Sequence, residues 1–213
     1  MPTATNKMSG FARAAQPSQA QTPMRRPWGF LLACFLFAAA VASIVWLRAD
    51  RSPMLGGPFE LVDARSGQLV SDRDFRGKWL LIFFGYTHCP DVCPTTLSNI
   101  ADAMSQLGPL AAQIQPLFVT IDPERDTLSA LVDHIAVFDP RIVGLSGSPA
   151  QIAAAAKAYR VYYAKRIVGD DYYMDHTSAV YVVRPDGTYA STFLYTAGSS
   201  EIAKRLRTSL RGA

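Results

Sequence analysis

Residues 28–47 read WGFLLACFLFAAAVASIVWL, twenty positions without a charge. No other feature narrows so far what this chain can fold into. As a helix rising about 1.5 Å per residue, the run covers the roughly 30 Å hydrocarbon core of a bilayer. A helix at the surface of a soluble domain would carry a polar face, and this run has none. Trp28 and Trp46 stand near its two ends, where indole rings favour the interface. Arg25 and Arg26 precede it, and by the positive-inside rule they hold that end in the cytoplasm. The run is expected to be a single-pass anchor with the globular part of the chain on the outer side. Ala40-Val41-Ala42 has the form of a signal-peptidase site, Leu31-Leu32-Ala33-Cys34 that of a lipoprotein box, and Arg25-Arg26 that of a twin-arginine signal. The apolar run continues past the first through Leu47, the second lies early in the run, and two arginines before an anchor are ordinary. An uncleaved anchor is preferred, with cleavage as the alternative.

Charge follows the same division. Residues 1–47 hold Lys7, Arg13, Arg25 and Arg26 and no acid. Taking these four from the 21 Lys and Arg leaves 17, equal to the 17 Asp and Glu. The formal charge of +4 therefore belongs to the N-terminal segment, and the body of the protein is neutral. Nothing in this balance points to nucleic acid. Residues 1–27, rich in Ala, Gln, Ser, Thr and Pro, have the composition of a disordered cytoplasmic tail. Residues 48–58, with Ser-Pro, Gly-Gly and Pro, have that of a linker.

From residue 59 onward, strand and helix patterns alternate. WLLIFFG (79–85) and PLFVTI (116–121) are continuous apolar runs, as expected of strands covered on both faces. Helical spacing runs through 94–107 and 128–138, a short strand follows at 143–145, and a helix opens at Pro149 and extends to 159. AVYVV (179–183) and 189–194 flank Arg-Pro-Asp-Gly, a hairpin signal, and 199–211 closes as a helix with Ser200 placed to cap it. This order predicts an α/β domain over 59–213, a mixed sheet flanked by helices. A dithiol between the first central strand and a helix is the thioredoxin arrangement.

That dithiol, Cys89 and Cys93 in YTHCPDVCPTT, contains the only cysteines beyond the anchor. A disulfide closing so small a loop would add little stability, so the pair serves chemistry. Pro94 predicts a helix start at Cys93 or Pro94, which places both sulfurs at a helix N-terminus, where thiolates are favoured. Of the three histidines, His88 is expected to point away from Cys89, and His134 lies within a helical pattern and has a structural reading. His176 stands just before strand 179–183. In thioredoxin-like domains that junction faces the dithiol and usually carries a cis-proline, so His176 is the candidate third donor. Two thiolates and one imidazole suit copper. Zinc is the alternative, though a structural zinc site normally takes four protein ligands. Asp91 and Asp175 lie nearby and are better suited to tuning charge or orienting a ligand than to binding Cu(I).

The segments FGYTHCPDVCPTTL (84–97), TIDPERDT (120–127), YRVYY (159–163) and DYYMDHTSAVYVVRPDG (171–187) resemble the Sco/SenC family of copper proteins. The likeness runs from residue 58 to the C-terminus. It implies a membrane-anchored thioredoxin-fold protein that assists assembly of the dinuclear copper centre in subunit II of cytochrome c oxidase. It also implies one copper, Cu(I) or Cu(II), held by Cys89, Cys93 and His176, and dealings with a thiol reductant and a second copper chaperone. TIDPERDT offers no evident copper donor. Its simplest reading is a strand end with Asp126 as the cap of the next helix, leaving Asp122 and Asp126 at most a supporting role. Leu128 departs from the family, where proline is common. With only 27 residues before the anchor, a bacterial inner membrane with a periplasmic domain is expected over the mitochondrial inner membrane.

Two functions from different classes follow. One is a metallochaperone using all three donors. The other is a thiol–disulfide oxidoreductase acting on the oxidase's copper-ligand cysteines, for which Cys89 and Cys93 supply the attacking and resolving thiols. A peroxiredoxin is disfavoured, because Tyr86 and Pro90 occupy the positions where a peroxidatic cysteine usually has threonine.

Overall fold

The computed structural model describes residues 34–39, 41, 43 and 55–211. The chain divides into two units, residues 1–51 and 52–213. In the first, the described residues are helical, Phe35, Leu36, Phe37 and Val41 are exposed, and Ser43 Oγ donates to the Ala39 carbonyl at 2.8 Å. Among the described residues no helix is long and apolar enough to cross a membrane. The expected tail at 1–27 and most of the expected span at 28–47 lie outside them, as does the first part of the expected linker.

The second unit is a thioredoxin-like α/β domain. Its strands are β1 (Glu60–Asp63), β2 (Leu69–Ser71), β3 (Trp79–Gly85), β4 (Ile114–Thr120), β5 (Val143–Ser146), β6 (Tyr163–Val168), β7 (Asp171–His176), β8 (Ala179–Val183) and β9 (Tyr189–Leu194). Seven form one sheet in the order β2-β1-β5-β4-β3-β8-β9, and β6 and β7 pair as a separate hairpin. The sheet is mixed: β3, β4 and β5 are parallel, while β8, β9, β1 and β2 join antiparallel. Central β3 is buried at every position, which is why its sequence is unbroken apolar.

The helices are α1 (Val92–Leu107), α2 (Leu128–Ala136), α3 (Pro149–Ala158) and α4 (Ser199–Arg211). Leu97, Ile100, Met104 and Leu107 of α1 fall at intervals of three and four and are buried, as an amphipathic helix requires. Pro149 and a Ser148–Gln151 capping box start α3. The sheet and core are drawn from the unit's own residues, so 52–213 is a folding unit in its own right.

Local expectations are corrected in four places. Helix α1 begins at Val92, because Pro at the third helical position restricts Cys93 without excluding helical geometry there. The cap of α2 is Thr127, whose Oγ1 accepts from Ala130 N–H at 3.2 Å, and Asp126 turns inward instead. Helix α4 closes its first turn on the Gly198 carbonyl, with Ser200 inside the helix. The hairpin β6–β7 and the short strands β1 and β2 are further strands that no sequence pattern marks.

Candidate metal centre

Strand β3 ends at Gly85, and the chain then turns through Tyr86–Cys89 into α1. A side chain at 85 has no room: a Cβ there would lie 2.8 Å from Cys93 Sγ and 2.7 Å from the Phe118 ring. Gly85 therefore makes the space in which Cys93, fully buried, sits beneath half-exposed Cys89. The Cys93 N–H, in the first turn of α1, points at Cys89 Sγ at 3.4 Å. This is a backbone donor that stabilises negative charge on sulfur.

His176 comes from the last position of β7, across from Tyr163 of β6. Its Nδ1 lies 3.1 Å from the Thr177 carbonyl, which can only accept, so Nδ1 carries the proton and Nε2 keeps its lone pair. Nε2 faces Cys93 Sγ at 3.7 Å. The ring is held edge-on to Tyr86 (5.9 Å between centroids) and Phe83 (6.2 Å). Cys89 Sγ, Cys93 Sγ and a His176 ring nitrogen all lie within 4.8 Å of one another. Among the described residues no other group of His, Cys, Asp and Glu meets this way.

The two sulfurs are unequal. The Cys93 thiol hydrogen-bonds the Cys89 sulfur, and with the backbone N–H groups of Cys93 and Asp91 it holds the Cys89 pKa far below the usual thiol range, against burial, which opposes ionisation. Donation to Cys89, burial and the neighbouring negative charge push Cys93 the other way. Cys89 is thus the thiol that favours the thiolate form, and Cys93 the one that keeps its proton.

The loop before Cys89 is tied down by TIDPERDT. Asp126, 1% exposed, accepts from Thr87 N–H (3.1 Å), Thr87 Oγ1 (2.6 Å) and Thr120 Oγ1 (2.6 Å). The neighbouring Arg125 holds the other half of the site. It pairs with Asp122 (2.6 Å), donates to the Tyr172 carbonyl of β7 (3.1 Å) and to Asp171 (3.0 Å), and stacks over the Tyr172 ring at 3.6 Å. Asp122 also accepts from Tyr172 OH at 2.9 Å. One turn therefore fixes both the cysteine loop and the histidine strand. Sequence patterning did not reveal this role. The available signal was three acids and an arginine within six residues of a buried strand end.

The remaining candidates fall outside the donor group. His88 points to the other side of the chain, as expected, with Nδ1 3.0 Å from Thr87 Oγ1. His134 packs against Phe118 and Phe138, and burial lowers its pKa. Asp175, next to His176, turns to Arg166 at 2.6 Å. Asp91 immediately precedes α1.

The fold and this site together define a thioredoxin-like protein whose dithiol is completed by a histidine into a soft, three-donor metal centre. The chain belongs to the SCO1/SenC family, whose model matches residues 48–211. It is 40% identical over 163 residues to the human mitochondrial protein SCO1 homolog, covering 75% of this chain and 54% of that one. The matched region is thus about half the length of that relative. Among solved structures, Arabidopsis thaliana ScoI with copper bound is 32% identical, covering 75% of this chain and 99% of that one, with a TM-score of 0.70. Bradyrhizobium japonicum ScoI with copper bound is 44% identical, covering 72% and 98%, with a TM-score of 0.68.

Proposed function

We propose that this protein is a membrane-anchored copper chaperone that carries one copper per chain and hands it to the dinuclear centre of cytochrome c oxidase subunit II. The observation that carries this reading is the convergence of Cys89, Cys93 and the free Nε2 of His176, with no carboxylate among them. Soft sulfur donors with a single imidazole select copper over harder ions, and zinc's usual fourth protein ligand is not supplied among the described residues. The copper-bound Arabidopsis and Bradyrhizobium relatives support the same cargo.

Capture begins at the Cys89 thiolate, which is half exposed and already ionised. Cys93 then gives up its proton as the positive charge of the ion offsets burial, and His176 contributes Nε2 without rearranging. Release is ligand exchange, in which incoming thiolates of the recipient replace these donors one at a time. A thiol reductant keeps the pair reduced, and a second copper chaperone supplies the ion.

Residues 1–27 form a cytoplasmic tail, 28–47 the anchor and 48–58 a linker, so that the copper-binding domain 59–213 works in the periplasm against a bacterial inner membrane. The exposed apolar side chains Phe35, Leu36, Phe37 and Val41 support a lipid-facing helix. The second reading, a thiol–disulfide oxidoreductase acting on the recipient's cysteines, is supported by the unequal sulfurs, an exposed thiolate beside a buried resolving thiol.

Copper titration of the reduced domain 52–213 tests the leading reading. One ion should bind tightly, and His176→Ala should weaken binding by more than the roughly 10–100-fold typical of losing an outer partner of a ligand. Full affinity and an unchanged spectrum in that variant would remove histidine from the site.

A further inference from the structure

Charge in the neutral domain is unevenly placed. Helix α4 carries Lys204, Arg205, Arg207 and Arg211 against Glu201 alone, whereas around β7 Asp122, Glu124, Asp171 and Asp175 are balanced in ion pairs by Arg125, Lys165 and Arg166. Between α4 and the edge strand β9 lies a groove of about 370 Å³. Its floor is apolar, with Trp79, Val182 and Phe193, and its rim carries Arg184, Lys204 and Arg205. Arg205 lies over the Phe193 ring at 4.3 Å, with Glu201 3.4 Å away. Among the described residues no carboxylate lies within ion-pair distance of Lys204 or Arg184. An apolar floor under a cationic rim matches a molecule with an anionic head and an aliphatic body.

Chain connectivity identifies the source of such a molecule. Seven residues, 48–54, separate the proposed anchor from Leu55, and even fully extended they reach only about 25 Å. Residues 55–58 enter the domain beside Gly187 and Tyr189, at the β8–β9 turn. Arg184, on the groove's rim, belongs to the same turn, and β8 runs from it back toward His176. The groove thus opens at the end of the domain where residues 55–58 enter, and the dithiol stands at the other end of β8.

We propose that the α4–β9 groove docks anionic phospholipid headgroups of the membrane that carries the anchor, so that the domain lies with its copper site turned away from the lipid. This rests on the membrane-anchored reading above. Each Lys or Arg near an anionic surface adds about 1 kcal/mol of attraction, so the effect is weak alone and becomes large once the tether confines the domain.

The test is co-sedimentation of the domain 52–213 with vesicles of phosphatidylcholine alone or mixed with phosphatidylglycerol, at low and at physiological salt. Binding is expected only with phosphatidylglycerol and should weaken as salt rises. Lys204→Glu, at an exposed position, reverses a charge and should lower the partition coefficient about thirtyfold. Thr208→Asp, one turn along the same groove, adds one negative charge and should lower it about fivefold, and both should melt as the wild type does. Equal binding to pure phosphatidylcholine, no binding to either vesicle, or an undiminished partition in both variants would overturn the proposal. The assay omits the anchor, so a failure here leaves the anchoring reading to its own test by reporter fusion.

Discussion

Asp126 and Thr87 are joined twice, through the threonine N–H and its hydroxyl, across 39 positions of sequence. A carboxylate with no exposed surface would be costly if its partners were lost, and here it spends its lone pairs on the loop that delivers Cys89. The chemistry of the site thus depends on a residue that never meets the metal.

Asp126→Asn should keep the side-chain volume and break the charge-assisted bonds. Bonds of this kind contribute about 1.5–3 kcal/mol each, so a loss of at least that size is expected, or several degrees in melting temperature. Calorimetry of the metal-free domain measures it. A melting temperature equal to the wild type would mean that the loop is held by something else.

Gly85→Ala forces a methyl group into Cys93 Sγ and Phe118. Overpacking of this kind costs about 1–3 kcal/mol, and relief requires moving both the sulfur and the Phe118 ring. Copper affinity should therefore fall more steeply than stability. Titration alongside thermal melting separates the two, and a variant that melts early yet binds normally would contradict the assigned role of the glycine.

Alkylation of the reduced domain should occur first at Cys89, and its rate should stay high well below pH 8.5, where a free thiol has largely lost its thiolate. The linkage signs are opposite for the two sulfurs. The depressed pKa of Cys89 stabilises the fold fully above about pH 8.5, and this stabilisation is lost as pH falls toward the folded value. Cys93, raised, favours the fold below about pH 8.5 and loses that contribution as pH rises. Mass spectrometry after brief alkylation at several pH values reads the order, and faster modification of Cys93 would reverse the assignment.

His176→Ala separates the two functions in cells. It removes a copper donor and leaves both sulfurs and the start of α1 in place. Oxidase activity at limiting copper should fall nearly as far as in Cys89→Ser, with partial rescue by added copper. Disulfide reduction by the purified variant should stay within a few-fold of wild type. Normal oxidase assembly in His176→Ala cells, with failure in Cys89→Ser, would favour the oxidoreductase.

Much of this was legible in the sequence, for identifiable reasons. Strands β3, β8 and β9 and helix α4 have the expected bounds, because full burial or a strong turn signal imposes a simple pattern on each. The hairpin β6–β7 gave no such pattern: Lys165, Arg166, Ile167 and Val168 are all exposed, so polar and apolar positions do not alternate in and out. Strands β1 and β2, of four and three residues, are too short for a period to register. The three residues that converge could be named because thiols and imidazoles are few. Arg125 and Asp126 could not be placed, since the partners that tie them to the cysteine loop and to β7 lie 39 to 47 positions away and only folding brings them together.

The burial of one sulfur and exposure of the other also set a sequence of events. A competing ligand reaches the metal only from the side of Cys89, because Cys93 lies beneath, closed in by Gly85 and Phe118. On the chaperone reading, exchange would therefore start at the outer bond and end at the inner one, and each intermediate would keep the ion attached to at least one of the two proteins. On that reading, loss to water would break the same buried bond with no incoming thiolate to hold the ion, and water would reach it only if the domain opened. Transfer to a partner and leakage to solvent should accordingly differ in temperature dependence, the first shallow and the second as steep as local unfolding.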